Sequence, residues 1–382
     1  MPSDKEEDLM KNVTFNEGKI FGEWRVGKVL DEGGFGKVYI ATNVKEPSKI
    51  AALKAESNDV EGGSAIKLEI MILNKLNKNG PTPHIPMVYL CAKRRRYCYM
   101  VMTLLGSNLK SLKNKNTVVP NGFSKATWSR LGIQCLYSLK YVHDNGFIHR
   151  DIKPQNFLMG NDKDKERARM VHILDFGLAR PFAVYKERER KWVARKARGT
   201  AEFRGTLRYT SPNVHLRKEQ GRGDDLYALL YLLIELNGGK MLPWQTESER
   251  ERVEQMKLTL PASVVMANMP ACMSKLMPHL AGLNYYERPD YHMFFKALWQ
   301  VMENEKATPA TKYDWETEQP DKSAVPMAWE NPAGPYFSSD PIAINGPPVA
   351  TGQEVTSEAQ TDAFKDTHVL SGNNKKKVPG KK

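Results

Sequence analysis

The spacing of hydrophobic positions changes period once along the chain. From Trp24 to Thr103 the apolar residues recur in short β-prone runs, which predict strands at Trp24–Leu30, Val38–Ala41, Ile50–Ala55, Met87–Ala92 and Tyr97–Thr103. One helix interrupts them over about 63–76, where Ile66, Ile70, Leu73 and Leu76 share a face. After residue 105 the helical period takes over. Trp128, Leu131, Cys135, Leu139 and Val142 form a stripe that ends before Gly146, and Asp225–Leu236 and Tyr291–Met302 read as further helices. No internal repeat is visible. The order predicts an α+β fold with two lobes, a small β-rich one over 22–105 and a larger α-helical one over 106–305. Ligand pockets favour the cleft of such an arrangement.

The two ends break the pattern. Residues 1–21 are polar, and 306–382 hold 9 of the 23 prolines with no sustained apolar period. Such a composition buries too little apolar surface to offset the entropy of ordering, so both ends are expected to be disordered.

Charge narrows the picture next. The 382 residues carry a formal net charge of +13, yet 306–382 sum to −1 and 1–305 to +14. The excess lies in the part expected to fold, which suggests an acidic partner. The terminal Lys375–Lys377 and Lys381–Lys382 are too short a run to specify one. The acidic start, Met1-Pro2-Ser3-Asp4-Lys5-Glu6, has no apolar signal region, and the longest strongly apolar stretch, Leu226–Leu236 with Glu235 inside it, cannot span a bilayer. Cys91, Cys98, Cys135 and Cys272 form neither a C-x-x-C pair nor a zinc pattern, so reduced thiols in the cytoplasm or nucleus are expected.

Four groups of residues carry chemistry. Asp31-Glu32-Gly33-Gly34-Phe35-Gly36-Lys37-Val38 joins two predicted strands, and its glycines would let backbone amides approach phosphate oxygens. A plain Gly-rich hairpin explains that segment equally well. Lys54 sits in the apolar strand segment Ala51-Ala52-Leu53-Lys54 and needs an anion, for which Glu69 on the next helix is available; a snorkelling lysine is the alternative. His149-Arg150-Asp151-Ile152-Lys153-Pro154-Gln155-Asn156 opens a loop after the long helix. Leu174-Asp175-Phe176-Gly177 follows the strand-like Val171-His172-Ile173. Two acids and an amide on loops beside short strands suit Mg²⁺ binding and base chemistry.

In order and spacing these segments match the protein-kinase signature, over residues 22 to about 305. Within that family the chain resembles the casein kinase 1 group, and most closely its tau-tubulin kinase branch. The supporting stretches are Gly33–Gly36, Met100–Gly106, Phe203–Tyr209, Gly223–Leu226, Leu242-Pro243-Trp244, Pro289-Asp290-Tyr291 and Tyr313-Asp314-Trp315-Glu316. The resemblance implies a serine/threonine kinase that uses ATP and Mg²⁺. It makes Asp151 the catalytic base, with Lys153 near the γ-phosphate and Thr206 bonded to both. Asn156 and Asp175 would hold Mg²⁺, and Lys54, paired with Glu69, the α- and β-phosphates. Leu30, Gly33, Gly34, Phe35, Gly36, Val38, Ala52 and Leu158 would surround the nucleotide. Met102 takes the gatekeeper position, with Thr103, Leu104 and Leu105 as the adenine-binding hinge. His149 reads as a packed structural residue.

Two departures qualify the match. Asp31 stands where the first glycine of the Gly-rich loop is usual, and a carboxylate there predicts a raised ATP KM. Ser211-Pro212-Asn213 replaces the usual Ala-Pro-Glu, which is typical of the casein kinase 1 group. It leaves Arg288 without the carboxylate that the equivalent arginine pairs with in other kinases.

The basic excess concentrates between Phe176 and Asn213, which carry a net +7 in the implied activation segment. Arg195, Lys196, Arg198 and Arg208 are the candidates for binding an acidic Ser/Thr-containing protein segment, of casein or tubulin type. A solvated, partly helical insert is the alternative. Thr246-Glu247-Ser248-Glu249 follows Trp244-Gln245 where the family usually supplies lysines, so phosphate priming stays open. Two rival readings remain, a nucleotide-binding pseudokinase scaffold and a basic module for microtubules or nucleic acid. A monomer with constitutive activity, no specific nucleic-acid binding and no membrane span is expected.

Overall fold

A computed structural model describes residues 13–33, 36–59, 65–238, 241–318 and 335–344. The described chain divides into two compact units, one holding the residues up to Asn74 together with Met87–Leu104, the other Lys75–Pro86 and the residues from Leu105 onward. Lys75–Pro86, expected in the small lobe, counts with the second unit. His84 explains part of this: its Nδ1 lies 2.6 Å from the Val171 carbonyl, and its own carbonyl accepts from the Ile173 amide.

The first unit is a six-stranded antiparallel sheet in the order β1-β2-β3-β4-β6-β5. The strands are β1 (Ile20–Phe21), β2 (Trp24–Gly33), β3 (Gly36–Asn43), β4 (Ile50–Ser57), β5 (Val88–Lys93) and β6 (Tyr97–Thr103). Helix α1 (Ala65–Leu76) buries Ile66, Ile70, Leu73 and Leu76, the face its spacing predicts. Ala41, Ala51, Leu53, Ala55 and Val101 fill one core with Phe15, Phe21 and Trp24. Phe15 packs on Phe21 at a ring distance of 4.8 Å, so ordered chain begins before residue 22.

The second unit is helical around three small sheets. Its elements include β7 (Leu105–Asn108), α2 (Leu109–Lys115), α3 (Lys125–Asp144), β8 (Phe147–Ile148), β9 (Phe157–Gly160) and β10 (Val171–Ile173). Then come β11 (Arg180–Pro181), β12 (Ala183–Lys186), β13 (Lys191–Ala194), α4 (Arg222–Leu236), α5 (Arg250–Thr259) and α6 (Tyr291–Asn304). β10, β9 and β7 form one sheet, β11 pairs with β8, and β12 pairs with β13. The last pair is a hairpin, not the helical insert that the run of mixed charges allowed. Ser124 caps α3, its hydroxyl accepting from the Thr127 amide. Gly146 ends it with φ +85°, and a Cβ there would meet the Ala183 carbonyl and the Trp192 ring at 2.8 Å each.

The expectation of unstructured chain from residue 306 is corrected for 306–318 and 335–344. Tyr313 is buried between the Arg130 and Arg169 guanidinium groups, with its hydroxyl accepting from Gln134 at 2.8 Å. Asp314 accepts from the Ser124 amide, the Ser124 and Thr127 hydroxyls and the Asn116 amide, all within 2.9 Å, at the start of α3. Phe337 and Ile342 are also buried. A handful of well-placed aromatic and aliphatic anchors outweighs a polar, proline-rich average. The remaining predicted tail, 319–334 and 345–382, and residues 1–12 lie outside the described residues.

Candidate active site

Within the first unit, β4 carries Lys54 opposite Val38 of β3 and Met100 of β6. Its ammonium reaches Glu69 of α1 at 2.6 Å and Glu56 at 3.6 Å. Glu69 is buried, so the pair is a charge-assisted contact sheltered from water, not a snorkelling surface lysine. Glu56 also accepts from the Ile66 amide at 2.9 Å, tying the end of β4 to the first turn of α1. Ala52 and Met102 are buried and face each other across β4 and β6. Thr103 is buried, with Leu104 half-buried after it. Val38 is half-buried, Leu30 is 45% exposed, and Gly33 pairs with Gly36 at the end of the β2–β3 hairpin. Gly34 and Phe35 lie outside the described residues. Asp31 is exposed, and its carboxylate accepts from the Glu32 amide.

Within the second unit, the loop after β8 gathers four of the predicted residues. Asp151 Oδ1 accepts from the Thr206 hydroxyl at 2.7 Å and Oδ2 from Lys153 Nζ at 2.6 Å. Lys153 Nζ also lies 3.4 Å from the Thr206 hydroxyl. Asn156 donates its side-chain amide to the Asp151 carbonyl at 2.8 Å, and the same nitrogen lies 3.4 Å from Asp151 Oδ2. Gly205, with φ +114°, permits this approach: a Cβ there would stand 2.6 Å from the Arg150 carbonyl. Leu158 is half-buried on β9. Leu105 begins β7 opposite Gly160.

A buried carboxylate holds the loop in place. Asp225, in the first turn of α4, accepts from the His149 amide at 2.6 Å, the Arg150 amide at 2.8 Å and His143 Nε2 at 2.9 Å. Burial opposes its charge, but these donors outweigh it and keep its pKa below the usual carboxylate value. They also fix Arg150 at φ +68°, a left-handed conformation that costs a non-glycine residue of order 1 kcal/mol. His149 is buried. Its Nε2 donates to the Leu174 carbonyl at 2.8 Å, while the ring tilts against Phe176. It therefore braces the segment that carries Asp175. Asp175 is left-handed too, at φ +64°.

The residues present fit Mg²⁺. Asp175 and Asn156 offer a carboxylate and an amide oxygen, and the Leu174 amide donates to the Asn156 carbonyl at 2.9 Å. Among the described residues no group of three or more His, Cys, Asp or Glu could hold a metal by itself. A one-carboxylate site of this kind suits a hard cation that arrives with a phosphate ligand.

Of the candidate substrate-anion residues, Arg198 and Arg208 each meet an internal carboxylate. Arg198 is committed to Glu219, which it meets through Nε and, at 2.9 Å, through Nη2; Arg180 approaches the same carboxylate at 3.9 Å. Glu219 is buried, and the arginine hydrogen bonds overcome desolvation to keep its pKa below the ordinary value. Arg208 donates to the Gln245 carbonyl and lies 3.7 Å from the buried Glu235. Glu235 also accepts from the Tyr209 hydroxyl at 2.6 Å and Lys113 at 2.9 Å. An internal carboxylate therefore meets each guanidinium. Arg195 is half-buried and Lys196 exposed.

Sequence reasoning missed the positioning roles of Asp225, Glu219 and Glu235. It also missed Lys257, which is buried between the Tyr231 and Trp244 rings and donates to the Leu207 and Thr210 carbonyls at 2.6 Å each. Burial pushes its pKa well below the usual lysine value. The available signal was its place four residues after the buried Val253, on the inward face of α5.

The sheet-based unit, the helical unit and the Asp151 loop define a protein kinase. The protein kinase domain family matches residues 24–311, and the chain belongs to it. Within that family it falls in the tau-tubulin kinase branch of the casein kinase 1 group. A Caenorhabditis elegans protein named "Inactive tau-tubulin kinase ttbk-6" is 64% identical over 281 residues, which cover 74% of this chain and 97% of that relative. A Dictyostelium discoideum protein, named a probable serine/threonine-protein kinase, is 35% identical over 310 residues, 81% of this chain and 60% of its own length.

Proposed function

We propose that this chain is an active Mg·ATP-dependent serine/threonine kinase acting on acidic protein segments, as a monomer in the cytoplasm or nucleus. The observation that carries this reading is the Asp151 cluster. Thr206 and Lys153 hold one oxygen each, so the carboxylate is oriented to accept the proton of an incoming Ser or Thr hydroxyl. Lys153 is 22% exposed and can lean toward a phosphoryl oxygen as the charge shifts. Asn156 and Asp175 would hold Mg²⁺, which neutralises charge on the transferred group. Lys54, fixed by Glu69, would contact the nucleotide phosphates.

Acidic substrates remain the substrate class, but Arg195 and Lys196 now carry that reading without Arg198 and Arg208. The Glu219 carboxylate among Arg180 and Arg198 supplies an internal anion, which supports activity without activation-segment phosphorylation. The name of the nematode relative favours a second reading, a nucleotide-binding scaffold without transfer. Labelled γ-phosphate transfer to casein and tubulin separates the two. The first reading expects incorporation on Ser or Thr. Mg·ATP binding with no incorporation would favour the second.

A further inference from the structure

We propose that residues 335–344 form a built-in strap that positions the activation-segment hairpin against the start of the catalytic loop. Arg288 is its first anchor. Lacking the carboxylate that Ala-Pro-Glu would supply, Arg288 donates through Nη2 to the Ser339 carbonyl at 2.7 Å and the Phe337 carbonyl at 3.1 Å. Its Nε stands 3.8 Å from Asp340. Two carbonyls and an acid from distant sequence thus partner Arg288.

Aromatic stacking fixes the same stretch. Phe337 lies on Phe295 of α6 with ring centroids 4.4 Å apart and planes within 15°. Tyr336 lies on Tyr137 of α3 at 4.1 Å and 16°, and its hydroxyl donates to the Tyr137 carbonyl. Lys140 sits 4.5 Å from the Tyr336 ring centroid, a cation held over the aromatic face. Two stacked rings and a guanidinium nitrogen shared by two carbonyls set the direction in which the chain leaves Asp340.

That direction leads to the hairpin. Ile342 is 1% exposed and completes an apolar cluster with Ile148, Phe182 and Ala183. Ile344 forms a parallel bridge with Trp192 of β13. Ile148 immediately precedes His149, and Ala183 opens β12. The cluster that Ile342 joins therefore spans the base of the catalytic loop and the root of the hairpin. Interiors packed in this way transmit displacement rather than absorb it. The hairpin shares its hold with Gly146, whose carbonyl accepts from the Phe182 amide at 2.9 Å and which packs against the Trp192 ring; four residue pairs join its strands, and Val184 and Tyr185 are exposed. The strap's share in positioning the hairpin stands on the Ile342 and Ile344 contacts and does not depend on phosphoryl transfer. Its consequence for substrate binding rests on the kinase reading.

Hydrogen–deuterium exchange on the full chain tests the strap without needing transfer activity. Arg288→Gln removes the first anchor, and Arg288 makes no hydrogen bond or ion pair to the hairpin among the described residues. Ile342→Ala removes the apolar contact at the other end. Both are expected to raise exchange at residues 183–194 and 147–148 about tenfold, with the interior of α3 at 131–139 unchanged. Ile342→Val, which keeps most of the volume, is expected to raise it about threefold at the same positions. Unchanged hairpin exchange in Arg288→Gln would overturn the proposal. So would a uniform rise across α3 and the hairpin in Ile342→Val, since that pattern belongs to ordinary core packing. A loss of acidic-peptide transfer accompanied by the local rise would extend the strap's role to substrate binding. Local rise with wild-type transfer would confine it to conformation.

Discussion

The Asp151 loop and the Arg195–Arg208 stretch are both dense in charge, and they end in opposite conditions. In the loop, the Asp151 carboxylate accepts from Thr206 and Lys153, with Asn156 Nδ2 3.4 Å from Oδ2. In the stretch, Glu219 and Glu235 meet the guanidinium groups that a count of basic residues would leave free for a substrate. A motif's spacing encodes which residues meet. A charge total does not, because the neutralising carboxylates lie elsewhere in sequence. Glu219 is 21 residues past Arg198 and Glu235 is 27 past Arg208, both outside the basic run.

The largest expected effect that would break this contrast lies beneath the loop. Asp225→Ala removes the acceptor for two backbone amides and His143, leaving buried donors unpaired. It should cost about 3–5 kcal/mol of stability, measured by urea unfolding, and lower transfer at least in proportion to the unfolded fraction. Thr206→Ala comes next. It leaves Lys153 in place and removes one hydrogen bond to a carboxylate, so kcat should fall about tenfold with little change in ATP KM. A normal kcat would mean that Asp151 does not need the Thr206 hydroxyl.

Smaller effects sharpen the other side. Glu219→Gln releases Arg198 and Arg180 from their carboxylate. The KM of an acidic peptide should fall about threefold while that of a neutral peptide stays unchanged. Equal changes would show that Arg198 has no part in substrate choice even when freed. Asp31→Gly should lower the ATP KM by about threefold or less, since the carboxylate is exposed and screened by solvent. No decrease would remove the unfavourable role assigned to Asp31.

The legibility of the molecule follows the same division. Strands β2 to β6 of the first unit and helices α1, α3, α4 and α6 were readable because local period encodes them, and the Lys54–Glu69 pair and the Asp151, Lys153 and Thr206 cluster were named through the match to the kinase signature. The hairpin at 183–194 was not, since alternating charge fits a solvated helix as well as a two-stranded ribbon until Trp192 and Val193 find partners. Neither were the docked residues beyond 305. Averaged over 77 residues, Tyr313, Tyr336, Phe337 and Ile342 vanish into a polar composition. Each is nevertheless stabilised by a particular surface of α3, α6 or β8 that only the folded chain assembles. Lys257 and Asp225 were hidden for a related reason. Most of their hydrogen-bond partners are backbone groups, which a sequence does not distinguish.

The contrast depends finally on whether Asp151 accepts a proton. The direct measurement is steady-state transfer of labelled γ-phosphate to casein by the full chain and by Asp151→Asn, at equal Mg·ATP occupancy. Asparagine keeps the size and the Thr206 contact but not the basicity, so transfer should fall about 10³-fold with ATP binding retained. Equal transfer by the two proteins, or none by the wild type, would contradict the account.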